Sequence, residues 1–249
     1  MPNEYRIYEF RKPEPDWRLI VQRIIPVLGI LLVCWVLFSG VGASLSTLTQ
    51  KLIIYPIFII SLVLHEMSHA YMADFLGDPT PRATGRLSFN PMKHLDLWGT
   101  ILFIFCGFGW AKPVQVNSSY FKNPNRAMVS VGLAGPLSNM LIAILAAFAY
   151  KLSLAALGNT SAFNYYFGYI CLFTTQINVT LAIFNLIPVP PLDGSRFIHY
   201  LLPARFQATY YKLQQYSFII FVLLFVYGGT MISPIVNNLV KSIWFGIVQ

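Results

Sequence analysis

The stretch LIIYPIFIISLVLHEMSHAYMADFL (residues 52–76) is apolar apart from a few residues, and it contains His65, Glu66 and His69. About 20 apolar residues in a helix are enough to cross the hydrocarbon core of a bilayer. Ionisable side chains inside such a span are costly and indicate a functional site. The HExxH pattern places two histidines where a helix can bind one metal ion. The stretch therefore predicts a membrane-spanning helix that carries a metal site.

The composition of the whole chain indicates a polytopic membrane protein. Its 249 residues are 56% hydrophobic and 10% charged, whereas soluble domains carry about 25% charged residues. We expect an all-α fold of five to six transmembrane helices. The predicted spans are residues 24–38, 52–76, 127–150, 163–187 and 218–232, with a sixth, less apolar candidate at 233–249.

One further apolar segment, residues 97–110, is too short and too rich in glycine for a span. We expect it to be re-entrant or interfacial, because irregular backbone at membrane depth must be covered by protein. No loop is long enough to form a separate folded domain. The expected organisation is therefore a cytoplasmic N-terminal tail at 1–23 and a single membrane-embedded domain at 24–249.

The basic residues predict the orientation in the membrane. Of the seventeen Lys and Arg residues, fourteen fall before residue 24, in 77–126 or in 188–217, which are alternate loops. Cytoplasmic loops carry this excess, so the N-terminus should face the cytoplasm. The net charge of +8 does not indicate nucleic-acid binding, because no basic stripe is interleaved with aromatic residues. The expected surroundings are a lipid bilayer and other membrane proteins, and the sequence leaves homo-oligomerisation open.

His65 and His69 should project from the same helical face, because four residues correspond to about 400° of rotation and 6 Å of rise. Glu66 is turned by about 100° from His65, so it can reach a water molecule at the metal without binding the metal itself. A catalytic zinc ion needs three protein ligands and one open position. One ligand must therefore come from another part of the chain.

The third ligand has few candidates, because no glutamate follows Glu66. Asp193 stands out, since it follows an apolar span and a proline-rich break and precedes a glycine. A turn-forming Asp-Gly pair is the alternative explanation for it. A ligand role for His94, in the long loop, stays open. The other candidates are Asp74, Asp78, Asp96 and His199; for Asp74 the polar end of the span is the favoured interpretation, and for His199 a non-ligating role.

These residues belong to a series of motifs that resembles the site-2 protease family of intramembrane zinc metalloproteases, in its compact prokaryotic branch without a PDZ domain. The similarity covers most of residues 52–200 in the same order. The matching motifs are HEMSHA at 65–70, GRLSFNPMKHLD at 85–96, GWAKPV at 109–114, GPLSN at 135–139 and NLIPVPPLDG at 185–194. Ser195, where many relatives have glycine, and Leu97-Trp98 depart from the family pattern, which affects loop geometry rather than a ligand.

The resemblance implies roles for five residues. His65, His69 and Asp193 would bind one catalytic Zn²⁺, and Glu66 would act as the general base. Asn139 would help to hold the substrate or the developing oxyanion. Residues 85–116 would form a small, membrane-associated β-like layer whose edge pairs with an unwound substrate strand.

We therefore expect an integral protein of a prokaryotic cell membrane that hydrolyses peptide bonds in or near transmembrane segments of other proteins. One alternative is a catalytically inactive metal-binding protein that recognises or scaffolds transmembrane helices. A zinc transporter is another alternative, but it would need several metal sites along a pathway, and the other spans have almost no ionisable residues.

Overall fold

The computed structural model describes residues 45–106, 109–158, 161–190 and 192–249. The predicted tail at 1–23 and the predicted span at 24–38 lie outside the described residues. The predicted organisation into a tail and one membrane-embedded domain therefore stays a prediction.

The described residues fold into α-helices joined by short loops and 3₁₀ turns. Leucine, isoleucine, phenylalanine and alanine dominate the long helices, and they pack well in an apolar environment. The helices are α1 (Leu45–Phe75), α2 (Thr80–Ala83), α3 (Leu97–Cys106), α4 (Pro124–Leu157), α5 (Ala162–Leu186), α6 (Asp193–Leu201), α7 (Ala204–Gln214) and α8 (Ser217–Val248).

Four segments of these helices are long and apolar enough to cross a membrane: Leu52–Phe75, Pro124–Leu157, Ala162–Leu186 and Tyr227–Val248. The first three agree with predicted spans, which supports an all-α membrane protein. The last differs from the prediction, because 218–232 and 233–249 belong to one continuous helix, α8. Pro234 lies inside α8 and does not end it, as is tolerated in membrane helices. The predicted total of five to six spans stays a prediction.

The region predicted to be β-like contains a helix, α3, and no strand among its described residues. Its β character is limited to one antiparallel bridge between Leu95 and Ala111. Asp96 favours the helix, because its carboxylate accepts a hydrogen bond from the Gly99 amide (2.9 Å) and so satisfies a donor at the helix start. The Arg86 guanidinium donates a hydrogen bond to the Lys112 carbonyl (3.2 Å) and so connects the segments before and after α3.

The core of the fold is the packing of α1, α4 and α5, with α8 against α4 and α5. Small residues occupy the buried contacts, among them Ala143 in α4 against Val179 in α5 and Val236 in α8. Small side chains let membrane helices approach closely, and cross-helix hydrogen bonds add to their association. One such bond runs from the Asn178 amide in α5 to the Ser61 hydroxyl in α1 (2.9 Å). This packing fixes the face of α1 that carries the HExxH motif against α4.

Candidate metal centre

The two histidines of the HExxH motif lie on one face of α1, as the spacing predicts. Both side chains are buried, and their Nε2 atoms are 3.1 Å apart. Glu66, between them in sequence, is half-buried. The imidazoles therefore present two nitrogen ligand atoms toward one point inside the protein.

Asp193 completes this cluster from a distant part of the chain. It is the first residue of α6 and follows the proline-rich turn after α5. Its Oδ2 lies 2.8 Å from Nε2 of His65 and 3.0 Å from Nε2 of His69. Gly194 makes this turn compact, because a Cβ there would lie 2.6 Å from the carbonyl carbon of Ile187. The turn therefore needs glycine directly after the aspartate.

The three ligand atoms fit a metal ion of the size of zinc. Their separations of 2.8, 3.0 and 3.1 Å are close to the ~3.3 Å between ligand atoms in a tetrahedral site with bonds of about 2.0–2.1 Å. Two imidazoles and one carboxylate form a ligand set of catalytic zinc sites, and they leave one position for water or substrate. Among the described residues, this is the group of three metal-ligating side chains that the structure brings together.

The charge of Asp193 is suited to binding a cation. Burial acts to raise the pKa of Asp193, but the adjacent His69 and His65 side chains outweigh it and hold the pKa below its usual range. Its second oxygen, Oδ1, lies 3.9 Å from Nε of Arg196, one turn along α6. The carboxylate thus turns one oxygen to the histidines and the other to a cationic side chain.

One face of α4 supports both histidines, through two residues spaced eight apart. Nδ1 of His69 is 2.6 Å from the carbonyl oxygen of Val131, to which it donates a hydrogen bond. The amide of Asn139 lies 3.1 Å from Nδ1 of His65. Hydrogen bonds to the second ring nitrogen orient metal-binding histidines in proteins. Val131 could not be identified from the sequence, because it contributes a backbone carbonyl, which every residue type has.

Gly135 lies between these two positions and gives the cluster its space. A Cβ at residue 135 would lie 2.6 Å from Nε2 of His65 and would also overlap Nε2 of His69. Glycine is therefore required here by the close approach of α4 to both ligands. Gly135 belongs to the GPLSN motif that the sequence singles out. The reason for a glycine at this position becomes clear only from the packing of α4 against α1.

The remaining carboxylate candidates have structural partners. Asp74 forms an ion pair with Arg82 (2.7 Å), in agreement with its interpretation as the polar end of the span. Asp78 is fully buried, and its carboxylate accepts hydrogen bonds from the backbone N–H groups of Thr80 (2.9 Å) and Asn117 (2.7 Å). It therefore joins the start of the long loop to its end.

His94 is separate from the metal cluster. It is buried, and its Nε2 pairs with the carbonyl oxygen of Ser88 (2.7 Å), which fixes the turn before α3. The side chain of His199 lies outside the described part of the structure.

Residues 53–167 and 151–228 match Peptidase family M50. The chain belongs to this family, the site-2 protease family. The resemblance predicted from the motifs is thus confirmed.

Individual relatives cover most of the chain. It is 41% identical over 187 residues to the Bacillus subtilis protein named "Putative zinc metalloprotease YwhC", an alignment of 72% of this chain and 83% of that protein. It is 30% identical over 198 residues to the Mycolicibacterium smegmatis protein named "Putative zinc metalloprotease Rip2", an alignment of 75% of this chain and 67% of that protein. Zinc metalloprotease MJ0392 of Methanocaldococcus jannaschii is 25% identical over 191 residues, with 74% of this chain and 46% of MJ0392 aligned. No solved structure matches the chain.

We predict that Gly135→Ala abolishes metal binding, because the added methyl group would overlap the histidine nitrogens. The metal content of the purified variant, measured by atomic emission after mild dialysis, should fall well below one ion per chain. Gly229→Ala in α8 is the matched control, since a Cβ there would have no heavy atom of the described structure within 4 Å. Full metal occupancy in Gly135→Ala would contradict the close approach of α4 to the site.

Proposed function

We propose that this M50 family member is an intramembrane zinc metalloprotease, which hydrolyses peptide bonds in or near transmembrane segments of other proteins. The observation that carries the proposal is the convergence of His65, His69 and Asp193 on one point, with both histidines inside a helix apolar enough to span a membrane. Metal-binding side chains at such depth are costly unless they serve a function. The names of the relatives as zinc metalloproteases support the same activity.

The depth of the site supports a substrate within the membrane. His69 and His65 are six and ten residues before the end of α1 at Phe75. At 1.5 Å per residue, they lie about 9 and 15 Å along the helix axis from this end. The hydrocarbon core is about 30 Å thick. A peptide bond of the substrate that reaches the histidines would therefore lie below the membrane surface.

Metal binding and proton transfer are assigned to different residues. His65, His69 and Asp193 would hold the zinc ion, which when bound supplies Lewis-acid activation of a water molecule and of the scissile carbonyl. Glu66 accepts a proton from the attacking water and delivers it to the leaving amine. Its position next to His65 suits this role, because a carboxylate that is itself not a ligand stays free to transfer the proton.

A helical substrate must first unwind, because its carbonyl groups are bonded within the helix. Glycine and proline lower the cost of local unwinding. We therefore infer a preference for substrate spans with these residues near the cleaved bond.

The central test is peptide-bond cleavage by the wild type and by Glu66→Gln. The test substrate is a tagged single-span protein with a Gly-Pro pair in its span, reconstituted with the purified enzyme in liposomes. We expect the wild type to cleave it and Glu66→Gln to be slower by at least about 100-fold, since general base catalysis contributes about 10²–10⁴-fold. Both proteins should bind equal amounts of zinc, because Glu66 is not a ligand.

Equal cleavage by Glu66→Gln would contradict the assigned base. No cleavage by either protein, with zinc bound stoichiometrically, would favour the inactive metal-binding alternative.

We also propose that the N-terminus and the loop between α1 and α4 face the cytoplasm, as the distribution of basic residues indicates. Phe75 at the end of α1 and Leu157 at the end of α4 are both exposed and should lie on opposite sides of the membrane. In a variant without native cysteines, Phe75→Cys should react with an impermeant thiol reagent only from the cytoplasmic side. Leu157→Cys should react only from the outside, and the reverse pattern would contradict this orientation.

A further inference from the structure

Asn139 combines three features that its predicted contact with the substrate does not explain. Its side chain is fully buried in α4, its amide nitrogen lies 3.1 Å from Nδ1 of His65, and its Oδ1 has no hydrogen-bond partner among the described residues. A buried polar atom without a partner is costly. In addition, the amide faces Nδ1, whereas Nε2 is the ring nitrogen that points to the ligand cluster.

The position of the proton on the His65 ring relates these features to one another. A neutral histidine carries one ring proton, so Nε2 of His65 can offer its lone pair to a metal only if Nδ1 carries the proton. Nδ1–H then needs an acceptor, and the amide nitrogen of Asn139 is itself a donor. A half-turn of the carboxamide exchanges its nitrogen and oxygen, which have nearly the same shape. Oδ1 of Asn139 then accepts the hydrogen bond from Nδ1–H of His65, and the amide nitrogen takes the position that Oδ1 occupied.

We propose that Asn139 is a positioning residue for the metal centre. Its Oδ1 holds His65 in the tautomer with Nδ1 protonated and directs Nε2 toward Asp193. The proposal rests on the proposed function, because it assumes that His65 binds zinc. It gives Asn139 a role different from the substrate or oxyanion contact that the family resemblance implies.

His69 provides the internal comparison. Its Nδ1 pairs with the carbonyl oxygen of Val131, eight residues before Asn139 on the same face of α4. The two zinc ligands on α1 are therefore oriented in the same way by one neighbouring helix. For His69 the acceptor belongs to the backbone, whereas for His65 it belongs to a side chain, so only the support of His65 can be removed by substitution.

The experiment measures zinc affinity by competition with a chromogenic chelator in detergent, for the full-length wild type and three variants. Asn139→Leu keeps the approximate volume but removes the acceptor, and it should weaken zinc binding by about 10–100-fold, the usual effect of losing such a partner. Asn139→Asp restores an acceptor and should bind zinc at least as tightly as the wild type. Asn178→Leu is the matched control. Asn178 is equally buried, and its Oδ1 also has no partner in the described part of the chain, but its amide contacts Ser61 rather than a ligand. Its zinc affinity should stay near the wild-type value.

Unchanged zinc affinity in Asn139→Leu would overturn the proposal and return Asn139 to a substrate or packing role. Equal losses in Asn139→Leu and Asn139→Asp, or in Asn178→Leu, would also overturn it, because they would indicate a packing defect. If Asn139→Leu does not fold, as judged by its thermal unfolding midpoint, Asn139→Ala replaces it in the same comparison. Failure of the wild type to bind zinc would refute the proposed function instead, so the two failures are distinguishable.

Discussion

The close contact between α1 and α4 is the constraint on which the candidate metal centre depends. At Gly135 the α4 backbone approaches both histidines so closely that even a methyl group would overlap them. This approach brings the Val131 carbonyl to His69 and the Asn139 amide to His65. Small residues such as Ala143 continue the buried face of α4, and such residues favour close packing between membrane helices. Helix packing and ligand geometry are therefore consequences of the same sequence pattern.

Burial in an apolar environment also explains why most of the buried polar side-chain atoms in the described residues are paired. An unpaired polar group away from water costs several kcal/mol by transfer to an apolar solvent, about 2–7 kcal/mol. Asn178 bonds Ser61 across the α1–α5 interface, and Asp78 accepts the amides at both ends of the long loop. The ligand atoms of two imidazoles and one carboxylate lie only 2.8, 3.0 and 3.1 Å apart, an arrangement that a bound cation would stabilise.

Much of the fold and site could be predicted from the sequence because the strongest signals are local. Apolar length identified the spans of α1, α4 and α5, and the i, i+4 spacing placed His65 and His69 on one face. Asp193 could be singled out because the chain has so few carboxylates in the membrane region. Ligand atoms from residues 128 apart in sequence meet at 2.8 Å, and this distance could not be derived from either segment alone.

The predictions that needed tertiary information were less accurate. Residues 85–116 were expected to form a β-like layer, but the Asp96 cap and the largely apolar residues of Leu97–Cys106 favour the helix α3. Residues 218–249 were divided into two candidate spans, yet no polar turn separates them and α8 is continuous. The proposed role of Asn139 depends on which ring nitrogen of His65 lies next to its side-chain amide. The packing of α4 against α1 determines this, and the sequence alone does not show it.

The most direct test of the account is X-ray absorption spectroscopy at the zinc edge of the zinc-loaded, full-length protein. We predict one zinc ion surrounded only by nitrogen and oxygen at about 2.0–2.1 Å, with the multiple-scattering pattern of two imidazoles. A sulfur ligand at about 2.3 Å, or a signal with fewer than two imidazoles, would contradict a metal centre built from His65, His69 and Asp193.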